Sequence, residues 1–204
     1  MAAKDTALPG QAARVAPAPS RRGVLAGLAM TAAGGVLSFF PRQTLADAVL
    51  GPPRPEDVGL MREAIAIAAE SDFPFGAVIV RGGDVLSRGP NLGRQLNDPT
   101  AHAEMVAIRR FLAARPAEEL KGATLYASAE PCPMCMGAIL WCGLNRVVFS
   151  ASLEQVAAKY GRQPQIGVPA LDVARTMADA APFLKVEITG GVLAPEALAL
   201  FDRK

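Results

Sequence analysis

The chain contains little cysteine, little histidine and few aromatic residues. Its 204 residues include three cysteines and one histidine, and Phe, Trp and Tyr together make up 5%. Three cysteines in a chain of this length exclude a small secreted domain held together by disulfides. Hydrophobic residues, in contrast, make up 51% and charged residues 20%. This composition can bury the core of about one domain and excludes wholesale disorder.

The chain also lacks an excess of charge of either sign, its formal net charge being +2. The basic excess lies in the first 48 residues, which contain five Lys or Arg and two acidic residues. Residues 49–204 therefore contain 16 basic and 17 acidic residues. A domain with a net charge of −1 has no broad positive surface for a phosphate backbone, so nucleic acid is not an expected partner.

The first 48 residues have the order of an export signal. The pair Arg21-Arg22 precedes an uncharged, mildly apolar run at 23–40, and Ala46-Asp47-Ala48 has the small-residue pattern of a cleavage site. Paired arginines in this place are typical of a twin-arginine signal, which the twin-arginine export machinery reads. We therefore predict a signal at 1–48, a linker at 49–55, a globular domain at 56–204, and a periplasmic or otherwise extracytoplasmic location. An uncleaved signal would instead anchor the protein in the membrane, and a buried N-terminal helix is disfavoured by four glycines in the run.

Helical and strand patterns alternate along residues 56–204. Helices are predicted at 56–70, about 101–114, 133 to about 143, 168–180 and 195–201. Strands are predicted at 77–80, 85–88, 124–128, 146–150 and 184–189, with a hairpin turn at Gly82-Gly83-Asp84 between the first two. This order predicts a layered α/β domain with a mixed sheet.

The single histidine and two of the cysteines have the spacing of a zinc site. His102 is followed by Glu104, and Cys132 and Cys135 are separated by two residues. Because Pro133 suits the first position of a helix, Cys132 is expected near the N-cap, with Cys135 one turn later on the same face. The positive end of the helix dipole lowers the pKa of thiols there and favours the thiolate that binds zinc. An imidazole and two thiolates would leave the fourth zinc position open, as in catalytic sites.

Two other interpretations of these residues are weaker. A closed site with Cys142 needs a ligand seven residues after Cys135, about 10 Å along a continuous helix, whereas a Zn–S bond is about 2.3 Å. Cys142 is instead expected in the core. A redox pair of Cys132 and Cys135 would leave His102 and Glu104 without a role.

Glu104 is the candidate general acid and base beside this site. Residues two apart on an ideal helix point in different directions, so spacing alone does not bring Glu104 and His102 together. They can converge only where the chain is just entering the helix. The alternative is a solvated acidic residue in the first helical turn.

A family resemblance follows from these residues. His102-Ala103-Glu104 with Pro131-Cys132-x-x-Cys135 matches the H-x-E…P-C-x-x-C signature of zinc deaminases. Residues 73–149 resemble the guanine deaminase and tRNA adenosine deaminase branch of the cytidine deaminase-like superfamily, most clearly at 74–78, 97–105 and 130–139. The resemblance implies a three-layer α/β/α sandwich around a five-stranded mixed sheet, and a homodimer. It also implies hydrolytic deamination of a nucleobase or nucleoside by the domain at 56–204.

The resemblance implies roles for individual residues. One Zn²⁺ per chain would be bound by His102, Cys132 and Cys135. Glu104 would move protons, and Asn91 matches the asparagine that contacts substrate in this family. The backbone amides of Ala103 and Cys132 would orient the reacting groups.

Two aromatic residues favour a free purine as substrate. Phe75 resembles guanine deaminases, since tRNA enzymes usually have an aliphatic residue there, and Trp141 resembles the tryptophan of the guanine deaminase pocket. Either could instead be an ordinary core aromatic. The acidic residue that guanine deaminases carry after the strand at 146–150 aligns with Val156, and the nearest acid is Glu154. Residues 152–157 also lack the D-x-K-x-G-A stretch of tRNA enzymes.

Three functions therefore compete. The leading hypothesis is an exported zinc aminohydrolase that acts on a small purine or nucleoside, with a guanine-like ring favoured. The second is a tRNA adenosine-to-inosine deaminase, for which the N-terminal signal would be misinterpreted. The third is a non-catalytic, zinc-stabilised binding module, in which Glu104 would have no role.

Overall fold

The computed structural model describes residues 48–160, 167–181 and 183–202. The predicted export signal, apart from Ala48, lies outside the described residues. Within the described part of the chain, no helix is both long enough and apolar enough to cross a membrane.

A mixed sheet of six strands forms the centre of the domain. The strands are β1 (Ala48–Leu50), β2 (Gly76–Arg81), β3 (Asp84–Pro90), β4 (Thr124–Ala129), β5 (Arg146–Ala151) and β6 (Val186–Thr189). Their order across the sheet is β1-β6-β5-β4-β2-β3. β2 runs antiparallel to both of its neighbours, and the other pairs are parallel. The five predicted strands are confirmed, and the short β1 adds a sixth at the edge, formed where the signal and linker were predicted to meet.

Helices cover both faces of this sheet. One face carries α2 (Ala103–Ala114), α3 (Pro133–Trp141) and α5 (Ala170–Ala180), and the other carries α1 (Asp57–Ala69), α4 (Leu153–Tyr160) and α6 (Ala194–Leu198). Single 3₁₀ turns lie at Ala117–Leu120 and Ala199–Asp202. Side chains of neighbouring strand residues point to opposite faces of the sheet and pack in different hydrophobic clusters. Ile79 packs in the cluster beneath α2 and α3, and Val78 packs in the cluster beneath α1. The three-layer α/β/α sandwich is therefore confirmed.

A glycine brings the first turn of α2 directly onto the sheet. A Cβ placed on Gly89 in β3 would collide with the carbonyl oxygen of Ala103 and with the backbone nitrogen of Ala107. Only glycine permits this approach. Since His102 and Glu104 lie at the same turn of α2, Gly89 sets how far these side chains stand from the sheet.

A buried ion pair between Asp57 and Arg146 joins α1 to strand β5. The Arg146 guanidinium donates to both carboxylate oxygens of Asp57 at 2.6 and 2.8 Å, and its Nε donates to Glu187 at 3.0 Å. The hydroxyl of Tyr126 donates to Asp57 at 2.9 Å. Burial raises the pKa of Asp57, but the hydrogen bonds from Arg146, the Arg54 amide and Tyr126 outweigh burial, so this pKa lies below its ordinary value. The Arg146 pair therefore fixes an ionised carboxylate inside the domain.

Candidate active site

Three metal-binding side chains meet at the start of two helices. His102 is the N-cap of α2, Cys132 is the N-cap of α3, and Cys135 lies in the first turn of α3. Pro133 occupies the beginning of α3, as predicted. The Nδ1 atom of His102 is 3.6 Å from each sulfur, and the two sulfurs are 3.6 Å apart. The fold thus brings together residues that are 30 positions apart in the sequence.

The spacing of these three atoms fits a tetrahedral zinc ion. Zn–S bonds of about 2.3 Å and Zn–N bonds of about 2.0 Å place ligand atoms about 3.5–3.8 Å apart. The observed separations of 3.6 Å lie in this range. Three protein ligands leave the fourth position for water or substrate. Within the described residues, Cys142 does not belong to this cluster. It lies at the C-terminal end of α3, whereas Cys132 and Cys135 lie at the start of that helix.

The site favours thiolate at Cys132. A hydrogen bond from the thiol of Cys135 lowers the pKa of Cys132 to about 4, and His102 adds to this effect. The same hydrogen bond raises the pKa of Cys135, and the contact with Cys132 raises the pKa of His102. Cys132 therefore carries the negative charge of a thiolate, the form that binds zinc, at the point where the three side chains meet.

Glu104 shares the cavity with these ligands. His102 has an extended backbone (φ −64°, ψ 158°), so the chain is only entering the helix there. This conformation lets residues two apart point to the same place, and His102 and Glu104 both line the cavity. Glu104 is 7% exposed, and burial raises the pKa of its carboxyl group. A buried acid beside a metal site with an open position can hold and release a proton.

The cavity has a volume of about 670 Å³. Its lining residues are Phe73, Phe75, Asn91, Gly93, Arg94, Asn97, Pro99, His102, Glu104, Ala129, Glu130, Cys132, Met134, Leu153 and Val156. Asn91 directly follows β3, is 6% exposed, and its Oδ1 accepts from the Gly93 amide at 3.0 Å. This bond leaves the Nδ2 group of Asn91 as the donor that could meet a ligand.

Phe75 combines a cavity-lining role with core packing. Its ring is 6.4 Å from that of Tyr160 and 5.6 Å from that of Phe201, and the latter two are 4.8 Å apart. Phe201 lies in the 3₁₀ turn at 199–202. The C-terminal part of the chain therefore supports the wall of the cavity that Phe75 forms.

Two predicted substrate contacts lie outside the cavity wall. Trp141 does not line the cavity of its own chain, and it is not a core residue either, being 82% exposed. It lies six residues after Cys135, which is about 240° around the helix, so it points away from the metal-binding face. Ala103 is the first residue of α2 and its side chain is buried against the sheet. The predicted role of its backbone amide stays a prediction.

Sequence reasoning missed most of the cavity wall. Met134 lies between the two cysteines, and the loop at 91–99 leads directly into the histidine motif. This closeness in sequence to the metal ligands is the signal that could have identified both as part of the cavity wall. Val156 is buried in the wall and belongs to the core beneath α1. Glu154, the nearest acid in sequence, is exposed and does not line the cavity. The position aligned with the guanine deaminase acid is thus apolar, and Glu130 is the second carboxylate of the cavity.

Comparisons with known proteins agree with this geometry. Residues 55–151 match the cytidine and deoxycytidylate deaminase zinc-binding region. Guanine deaminase of Bacillus subtilis (strain 168) is 43% identical over 106 residues, which cover 50% of this chain and 67% of that protein. The tRNA-specific adenosine deaminase of Aquifex aeolicus (strain VF5) is 40% identical over 91 residues, covering 45% of this chain and 60% of that protein.

A solved structure shares the fold along most of the described domain. It comes from a study of A-to-I editing by tRNA:A34 deaminases, and it is 30% identical with a TM-score of 0.58. The match covers 70% of this chain and 98% of that chain. The chain itself spans about two thirds or less of the length of the two curated relatives. With the zinc-site residues in place, these similarities show that the chain belongs to the cytidine and deoxycytidylate deaminase family and contains its zinc-dependent deaminase domain.

Proposed function

We propose that the chain is an exported, zinc-dependent aminohydrolase that releases ammonia from a purine base or nucleoside. The observation that carries the proposal is the position of Glu104, whose buried carboxylate lines the same cavity as His102 and Cys132. A structural zinc site needs no such acid, and its four ligand positions are normally closed.

Different residues of the cavity would bind the metal, move the proton and bind the substrate ring. His102, Cys132 and Cys135 would hold a zinc ion, which would act as a Lewis acid and lower the pKa of water. Glu104 takes a proton from the attacking water and returns it towards the departing amino group. A C–O bond forms at the ring carbon, the C–N bond breaks, and ammonia leaves with one proton of the water. The carbon becomes a carbonyl, and the other proton ends on the neighbouring ring nitrogen. Asn91 donates through Nδ2 to the ring, and Phe75 packs against it.

A purine is favoured for three reasons. The Bacillus subtilis relative is a guanine deaminase, and Phe75 occupies the position where guanine deaminases are aromatic. The cavity wall also combines apolar side chains with the amides of Asn91 and Asn97, which suits a flat ring with polar edges. Since Val156 replaces the second acid of guanine deaminases, proton transfer falls to Glu104.

A tRNA adenosine is the second candidate substrate. The Aquifex relative and the A-to-I editing structure support it. The net charge of −1 for residues 49–204 weighs against it, because binding to an RNA backbone draws on positive surface charge. Export, which rests on the paired arginines and the apolar run at 23–40, would also separate the protein from cytoplasmic tRNA.

A homodimer forms part of the proposal. Trp141 is 82% exposed at the end of α3, whereas tryptophan is usually largely buried. Tryptophan is enriched at protein interfaces, so this side chain is a natural contact between two copies of the chain. Light scattering of Trp141→Ala beside the unchanged protein tests the assembly, with a smaller particle expected for the variant.

Ammonia release from a panel of substrates tests the function. The zinc-loaded protein is incubated with guanine, adenine, cytosine, their nucleosides, their 5′-nucleotides and an anticodon stem-loop, and the chelator-treated protein serves as control. Turnover of a free base or nucleoside supports the proposal. Turnover of the stem-loop alone would favour the tRNA enzyme, and no turnover of any of them would favour the non-catalytic module. Fractionation of cells that express the full chain tests export, and purely cytoplasmic protein would contradict it.

A further inference from the structure

The mouth of the cavity carries a positive charge that the zinc chemistry does not use. Arg94 lines the cavity and is exposed at its opening. Its guanidinium carbon lies 4.8 Å from the centroid of the Phe73 ring, and Phe73 lines the same cavity. This cation–π contact holds the charged group over the opening.

No carboxylate among residues 48–160, 167–181 and 183–202 forms an ion pair with Arg94. Asp98, the acid of the same loop, accepts hydrogen bonds from Thr100 and pairs with Arg109 at 3.3 Å. Glu130, elsewhere in the cavity wall, accepts from two backbone amides. The internal segment 161–166 contains no Asp or Glu. Among the described residues, the charge of Arg94 therefore has no ion-pair partner and is available to a ligand.

Most backbone amides in the loop around Arg94 already donate hydrogen bonds. The amides of Gly93, Leu96, Asn97 and Asp98 all donate to acceptors within the loop. Asn97 has a left-handed backbone (φ 50°) and lines the cavity beside Arg94. A guanidinium and a side-chain amide thus both line this cavity, and each group can donate to an anion.

The cavity has room for more than a bare ring. Small-molecule sites span roughly 300–1,000 Å³, and this cavity lies in the upper half of that range at about 670 Å³. A purine ring bound beside Glu104 would leave space between it and the opening. A substituent on the ring would fill that space and reach Arg94.

We propose that Arg94 is an anion-recognition residue and that the substrate is a purine nucleotide with its phosphate at the cavity mouth. The proposal rests on the aminohydrolase function proposed above and changes its substrate from a purine base or nucleoside to the corresponding nucleotide. Arginine suits phosphate because its planar group donates paired N–H bonds to two oxygens. A phosphodiester of RNA has the same chemistry, but the net charge of −1 for residues 49–204 favours a single small anion.

Binding by the full chain tests the proposal without relying on turnover. Zinc-loaded Glu104→Gln protein, which cannot consume its ligand, is titrated by calorimetry with guanosine, guanosine 5′-monophosphate, adenosine, adenosine 5′-monophosphate and a short RNA stem-loop. Each titration is repeated with Arg94→Gln and Arg94→Lys added. Arg115→Gln is the matched control, because Arg115 pairs with Glu119 on the surface and does not line the cavity.

The nucleotide should bind about 10-fold more tightly than its nucleoside at low salt. Arg94→Gln should abolish this preference, Arg94→Lys should keep part of it, and Arg115→Gln should leave it intact. The preference should also shrink at high salt, because the exposed charge is screened.

Three results would overturn the proposal. Equal binding of nucleoside and nucleotide would overturn it while leaving the aminohydrolase standing. A loss of affinity in Arg94→Gln that is confined to the RNA would make the phosphate source a polynucleotide. Binding of none of these ligands would contradict the nucleotide assignment, and a parallel titration with free guanine would then show whether a nucleobase site is present.

Discussion

The carboxylate of Glu130 accepts a hydrogen bond at 2.8 Å from the backbone amide of Ala170, 40 residues further along the chain. Its other oxygen accepts from the amide of Leu153 at 3.0 Å. Leu153 and Ala170 are the first residues of α4 and α5. One acid, two residues before Cys132, therefore holds the starts of two helices, where the helix dipoles favour negative charge.

This arrangement predicts that Glu130→Gln weakens substrate binding more than zinc binding. The amide side chain keeps one acceptor oxygen and turns a donor towards the other backbone N–H, so one bond is lost. Stability should fall by about 1–3 kcal/mol, and KM should rise because Leu153 and Val156 form part of the cavity wall. Urea denaturation, zinc content and steady-state kinetics measure the three quantities.

Glu154→Gln provides the matched control for Glu130→Gln. Glu154 is exposed and lies outside the cavity wall, so the same chemical change should leave KM within error. If Glu130→Gln instead binds zinc more weakly and keeps its KM when excess zinc is supplied, the acid supports the metal loop and not the wall.

A methyl group at Gly89 should disturb the site through α2. In Gly89→Ala the new Cβ meets the carbonyl oxygen of Ala103 and the backbone nitrogen of Ala107, and backbone must shift to accept it. We expect a loss of about 1–3 kcal/mol in the free energy of unfolding, together with lower activity. Gly137→Ala in α3 is the control, since nothing lies within 4 Å of its Cβ and alanine favours a helix. Equal stability of the two variants would contradict the close approach.

Removal of zinc should expose two thiols and abolish turnover. With zinc bound, Cys132 and Cys135 are coordinated, and only Cys142 should react with a thiol reagent. A chelator should add two reactive thiols and stop ammonia release, and added zinc should reverse both changes. Cys142→Ser should keep its zinc and its activity. Identical thiol counts with and without chelator would contradict the zinc site.

The Asp57–Arg146 pair should contribute stability that acid removes. Since the folded pKa of Asp57 lies below its unfolded value of about 3.9, the contribution is present above that value and is lost as pH falls through the folded pKa. Asp57→Asn should lower the free energy of unfolding by about 3–5 kcal/mol at neutral pH. The difference in this free energy between the variant and the unchanged protein should shrink below pH about 4. Urea denaturation across pH measures this, with Asp72→Asn in an exposed loop as control. A difference that does not depend on pH would contradict the ionised pair.

Much of the fold and the metal site could be predicted from sequence because local signals were strong. Pro133 marks the start of α3, and the H-x-E and P-C-x-x-C spacings identify the ligands. Helix α4 was missed although its signal was present: Ser152 and Gln155 form a reciprocal capping box, with bonds of 2.9 and 3.1 Å.

The convergence of His102 and Glu104 could not be derived from spacing, because it depends on the extended N-cap of α2. The roles of Glu130 and Arg94 depend on partners far away in sequence or on the shape of the cavity. The exposure of Trp141 depends on its angle around α3, which a family resemblance does not give. Long-range contacts, unlike caps and turns, leave no local pattern to read.

The most direct test of the account is ammonia release by zinc-loaded Glu104→Gln beside the unchanged protein, on the purine that the unchanged protein turns over fastest. The account predicts that the variant keeps one zinc per chain and loses about 10²- to 10⁴-fold in kcat. A variant that keeps both zinc and full kcat would contradict the central claim that Glu104 carries the proton.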